Sequence, residues 1–120
     1  MAFRMRNFRQ YKVWEIAHEV TREIYALTAD FPDSEKFGLI SQMRRAAYSI
    51  PANIAEGCGR NGDKEFRRFL FIANGSATEL EYFLILTTDL GYLNKEASEP
   101  ICDKVDKLKR SLNKLINTIL

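Results

Sequence analysis

Cysteine, histidine, proline and glycine are all scarce in this chain, and each scarcity removes a class of explanation. Two cysteines, Cys58 and Cys102, and the single His18 cannot complete a four-ligand Cys/His zinc site. No apolar run reaches the ~20 residues needed to cross a bilayer. Arg4, Arg6 and Arg9 stand at the N-terminus with no apolar run behind them, so the start does not read as a signal peptide. No membrane segment is expected; the location expected by default is cytoplasmic, where both thiols stay reduced. Strand-like alternation is missing, as are internal repeats and low-complexity stretches. A large charge imbalance is missing too: 18 basic and 16 acidic residues leave a net +2. Any electrostatic argument must therefore rest on where the charges lie.

What is present is helical periodicity. With 46% hydrophobic and 28% charged residues, the 120-residue chain has the balance of one globular domain, residues 1–120, with a basic arm at 1–11. A first segment carries Val13, Ala17, Val20, Ile24, Leu27 and Phe31, ending before Pro32. Asp33 or Ser34 is placed to cap the next helix. The second carries Ile40, Met43, Ala47, Ile50 and Ile54, with Pro51 inside it. That proline cannot donate to Ala47 and should kink the helix. Gly57, Gly59 and Gly62 are expected to break it. Asp63 should cap a third helix with the seam Phe66, Leu70, Ala73, Ala77, Leu80 and Leu84, closed by Gly91. Asn94 should cap a fourth, with the seam Ile101, Val105, Leu108, Leu112, Leu115 and Ile119. Pro100 marks a kink or a late start in it. Four such segments with short connections predict an all-α fold, an antiparallel up-down-up-down four-helix bundle with left-handed packing.

The third segment has more apolar surface than a monomeric bundle can cover. Phe69, Ile72, Phe83, Leu86 and Leu90 lie beside its seam, and Phe71, Tyr82 and Ile85 add a third side. Four such side chains left in water would forgo about 6–12 kcal/mol. Phe69, Ile72, Phe83 and Leu86 are therefore expected at an interface between copies of the chain.

Small and polar residues interrupt the apolar pattern in Ser49-Ile50-Pro51-Ala52-Asn53-Ile54-Ala55-Glu56-Gly57 and in Ala73-Asn74-Gly75-Ser76. With Leu39-Ile40-Ser41-Gln42-Met43-Arg44-Arg45-Ala46, Glu65-Phe66, Phe69-Leu70 and Glu79-Leu80-Glu81, they resemble the intervening-sequence proteins of large ribosomal RNA, from about Val13 to Leu120. The resemblance implies a closed four-helix bundle that assembles as a homopentamer. Some genes of this type lie inside insertions in ribosomal RNA genes, and most members have no known molecular function. A related branch, the accessory proteins of diversity-generating retroelements, is a basic pentameric barrel that binds nucleic acid and a reverse transcriptase. The near-neutral charge of this chain departs from that branch and argues against tight, nonspecific nucleic-acid binding.

Basic residues nevertheless cluster. Arg4, Arg6, Arg9 and Lys12 alternate with Phe3, Phe8 and Tyr11. Arg60, Lys64, Arg67 and Arg68 surround the start of the third helix. Lys107, Arg110 and Lys114 stud the fourth. Such clusters suit phosphates, and interleaved aromatics suit unpaired bases; the bland alternative is a solvated face diluted by Glu15, Glu19, Glu23, Asp103 and Asp106. The expected partners are further copies of the chain, with RNA or a nucleic-acid enzyme beyond them. The competing reading is a protein-interaction scaffold with no nucleic-acid role.

No enzyme is expected. Glu15 and His18 have the Glu-x-x-His spacing of di-metal bundles, but there is one such motif and the seam turns it outward. Glu56, Glu79 and Glu81 lack a catalytic partner, and Cys58 lacks a base. No glycine loop has phosphate-cradling form, so neither metal nor cofactor is expected. Structural roles fit better. Arg44 or Arg45 is placed to pair with Glu56 or Glu79, Asn53 and Asn74 to bond carbonyls freed by Pro51, and Gly75 and Ser76 to allow close backbone approach.

Overall fold

A helix needs an apolar side chain every three or four residues to bury one stripe, and each expected segment forms one. The computed structural model describes residues 6–119 as four α-helices: α1 (Lys12–Thr28), α2 (Ser41–Cys58), α3 (Asp63–Asp89) and α4 (Lys95–Thr118). There is no strand among the described residues. The long axis measures 54 Å against 24 and 19 Å across.

The core is built from the seams. Val13, Ala17, Val20 and Ile24 meet Met43, Ala47, Ile50 and Ile54, the full α3 seam, and Ile101, Val105, Leu108 and Leu112. The α4 seam departs from expectation near its end: Ile116 is buried, Leu115 only half-buried, and Ile119 lies beyond the helix. A straight helix drifts ~20° per heptad from a strict 3.5 repeat, which carries the buried position one residue on. By length and composition alone α3 could cross a membrane, contrary to the expectation from apolar runs. Its seam is instead buried in the core of the bundle.

Several ends differ from those expected. Glu35, not Asp33 or Ser34, supplies the side-chain acceptor before α2, taking the Leu39 N–H across a π-helical turn at Lys36–Ile40. Gly62, at φ 90°, occupies the cap of α3; Asp63 is its first helical residue and pairs with Arg6. Two ends match: Asn94 accepts the Ala97 N–H at 2.9 Å, and Gly91, at φ 81°, closes α3. There the Tyr92 N–H reaches the Thr87 carbonyl at 2.9 Å and the Gly91 N–H the Thr88 carbonyl at 3.1 Å, the two bonds of a Schellman end.

α2 continues through Pro51 as far as Cys58. The carbonyl the proline leaves free, that of Ala47, is taken by α1: the Thr21 hydroxyl lies 3.1 Å from it and 2.8 Å from the Ala17 carbonyl. Asn53 does not serve that carbonyl; its Nδ2 donates to Ser49 at 2.7 Å. Gly57 does not break α2 either. It is buried within the helix, where an added Cβ would lie 2.8 Å from the Phe69 Cβ and 3.2 Å from Phe66. Replacing Gly57 with Ala should cost about 1–3 kcal/mol by overpacking, read as a lower urea midpoint.

The Thr21–Ala47 bond makes a second prediction. Thr21→Val should cost about 1–2 kcal/mol, because the Ala47 carbonyl, which Pro51 cannot serve, loses the hydroxyl that lies 3.1 Å from it. In a Pro51→Ala background, where a backbone N–H returns, the same change should cost less than half as much. Additive effects in a urea double-mutant cycle would rule the assignment out.

Candidate nucleic-acid interface

Arg6 ties one end of the bundle together. Its N–H donates to the Cys58 carbonyl at 3.2 Å, its guanidinium pairs with Asp63, and the same group lies 4.3 Å from the Phe66 ring centre. Tyr11 packs on Phe66 at 5.4 Å, and Arg67 Nε donates to the Ile116 carbonyl at 3.4 Å. The start of α1, the end of α2, the start of α3 and the end of α4 therefore share one end. At the opposite end Tyr92 donates to Glu35 at 2.9 Å and packs on Phe31 at 5.5 Å. The described part of the expected arm is docked rather than free: Asn7 caps a 3-10 turn at Phe8–Gln10, and Phe8 packs on Trp14.

Folding sorts the charges along the axis. Dividing each helix near its middle, the Arg6 end holds eleven Lys and Arg against five Asp and Glu among the described residues, a net +6. The Tyr92 end holds six against eleven, a net −5. The long axis of 54 Å spans several screening lengths of ~8–10 Å at physiological salt, so each end acts almost alone. The near-neutral total is thus the sum of two oppositely charged ends.

Within the basic end the candidate residues have different surroundings. Arg4 lies outside the described residues. Arg6 is engaged as above. Arg9 lies 4.9 Å from the Phe8 ring centre, and Lys12 is 3.8 Å from Glu15. Arg60 pairs with Glu56 at 3.0 Å. Arg60 and Arg68 both lie over Phe69, at 5.1 and 4.5 Å. Arg68 also holds Glu65 at 2.8 Å, a hydrogen bond that lowers the Glu65 carboxyl pKa and raises that of Arg68. Lys107 and Lys114 are exposed, and Arg110 pairs with Asp106. Lys64, Glu65, Arg67, Arg68 and Phe71 line a cleft of about 470 Å³. Phe71, half-exposed with Arg67 at 5.0 Å, was not among the candidates; an aromatic four residues after Arg67 was the available signal.

The structural assignments change more. Arg44 pairs with neither Glu56 nor Glu79; its Nε donates to the Thr28 hydroxyl at 2.9 Å and its Nη2 to the Tyr25 carbonyl at 3.2 Å. Arg45 and Glu79 are exposed and form no ion pair among the described residues. Asn74 Oδ1 is buried with no hydrogen-bond partner among the described residues, and Ser76 is half-buried. Gly75 faces open space, so within one chain it permits no close approach. Of the expected interface residues, Phe69 is only 5% exposed and belongs to the core, covered by Gly57 and the two arginines. Phe83 and Leu86 are half-buried and Ile72 is exposed. Tyr82, Ile85 and Leu90 are more than half exposed and continue the uncovered apolar surface of α3. Glu15 and His18 both point outward, with His18 stacked on Trp14 at 5.2 Å.

The model of the 23S rRNA-intervening sequence protein family matches residues 9–114. The chain belongs to that family. A crystal structure of a Bacteroides thetaiotaomicron protein of unknown function, from the S23 ribosomal protein family, is similar to it. The two share 27% identity at a TM-score of 0.78, over 87% of this chain and 97% of that one. Among curated proteins none matches the chain.

Cys58 is a packing group. Burial raises its thiol to about 11, outweighing the opposing effect of Arg6. The folded state thus holds the thiol proton more tightly than the unfolded chain, with its ordinary value of 9.0. This stabilisation is complete below pH 9 and lost as pH rises through 11. Urea midpoints should fall over that window more steeply in the wild type than in Cys58→Ala, and Cys58 should resist alkylation in the folded protein.

Proposed function

We propose that the protein is a noncatalytic, self-associating bundle that contacts RNA through its basic end. The separation of charge, +6 from −5 along one axis, is the observation that carries this reading. A cyclic assembly with its axis along the bundle sets every basic end on one rim. Weak contacts then add as avidity. We read the helices as antiparallel, up-down-up-down and left-handed. In support of the antiparallel order, Thr21–Ala47 and Thr28–Arg44 pair rising numbers with falling ones between α1 and α2, as do Arg67–Ile116 and Glu81–Lys109 between α3 and α4.

Self-association is supported by the uncovered column on α3. Ile72, Gly75, Glu79, Tyr82, Leu86 and Leu90 follow each other at three- and four-residue steps, and Ile72, Tyr82 and Leu90 are 40%, 56% and 52% exposed. A pentamer is the closed form we favour. The same column supports a second reading, a scaffold whose α3 surface takes another protein.

Light scattering at about 10 μM should give a multiple of 13.9 kDa. Tyr82→Glu should yield a helical monomer, since a charge placed in a buried apolar contact is costly. A monomeric wild type would end the self-association reading. For RNA, gel shifts should show roughly micromolar binding that weakens as salt rises, and neutralising Lys64, Arg67 and Arg68 should flatten that dependence. An intact oligomer that retains no RNA at low salt would leave only the protein scaffold.

A further inference from the structure

We infer that the cleft lined by Lys64, Arg67, Arg68 and Phe71 takes an unpaired nucleotide, its base on the Phe71 ring and its phosphate between Lys64 and Arg68. This rests on the nucleic-acid reading above and names the form of the ligand. Phe71 is a half-exposed aromatic ring facing a cleft, and its neighbours there are charged rather than apolar side chains, three cations and Glu65. Its volume of about 470 Å³ falls within the roughly 300–1,000 Å³ of small-ligand sites. Arg67 sits over the ring at 5.0 Å, and its bond to the Ile116 carbonyl holds it there. Lys64 and Arg68 are four residues apart on α3, one above the other, and Lys64 forms no ion pair among the described residues. A phosphate held by them sits one to two turns below the ring.

An aromatic ring in a basic groove reads the face of a base, which a duplex keeps stacked on its neighbours. The cleft therefore prefers single strands. The ring gives no distinction between ribose and deoxyribose, so RNA and DNA single strands should bind alike here. Glu65 opposes the ligand: its carboxylate holds Arg68 at 2.8 and 3.3 Å and competes with phosphate. Glu65→Gln is therefore expected to tighten binding, a gain that a merely structural role for the pair would not produce.

The test is fluorescence anisotropy at low salt with a labelled 12-nucleotide single-stranded RNA, its DNA equivalent and the blunt RNA duplex. Both single strands should bind about tenfold more tightly than the duplex. Phe71→Leu should weaken the single strands about tenfold, leave the duplex unchanged and keep the circular-dichroism spectrum. Glu65→Gln should strengthen them about threefold. Phe71→Trp should retain binding and show quenched emission on adding the strand. Equal binding of single strands and duplex, insensitive to Phe71→Leu, overturns this site while the nucleic-acid reading stands. No binding of any of the three overturns both.

Discussion

The missing side chain of Gly57 is the constraint on which the rest of the molecule depends. A Cβ there would collide with Phe69 at 2.8 Å and crowd Phe66 at 3.2 Å. Without it the last turn of α2 lies directly on the first turns of α3. That contact buries Phe66 and Phe69 at the end of the bundle and gives Arg6 a carbonyl, a carboxylate and a ring within reach. It also sets Arg60 and Arg68 over the same buried ring. Basic residues distant in sequence thus become one surface because two helices approach closely at one glycine.

The opposite edge of α2 shows a related economy. A proline in a helix leaves a carbonyl without its donor. Here the hydroxyl of Thr21, on the neighbouring helix, approaches that carbonyl. Pro51 is buried with Met43, Ala47, Ile50 and Ile54, so the proline adds apolar surface to the core while α1 meets its polar consequence.

The helices and most of their buried faces were legible in the chain, because a seam every three or four residues has one physical reading. What escaped depended on partners far away in sequence. Thr21 is an ordinary polar residue until it stands beside a carbonyl 26 residues on. Gly57 read as a helix breaker because glycine's other use, close approach, is visible only with Phe66 and Phe69 in place. Phe69 read as surplus surface because the cover it finds against Gly57 comes from another helix. The basic clusters themselves were legible, but their separation from the acidic ones was not: opposite charges cancel in a sum and not across a 54 Å molecule.

The end of the bundle that carries Arg6, and not its sides or its far end, is the surface we propose for a polyanion. Amide chemical-shift mapping during titration with single-stranded RNA tests it most directly. Shifts should concentrate in residues 56–71 and the last turns of α4, with Lys95–Asp106 unmoved. Shifts centred on Lys95–Asp106 or on the Tyr82–Leu90 surface, or no shifts at low salt, would contradict the proposal.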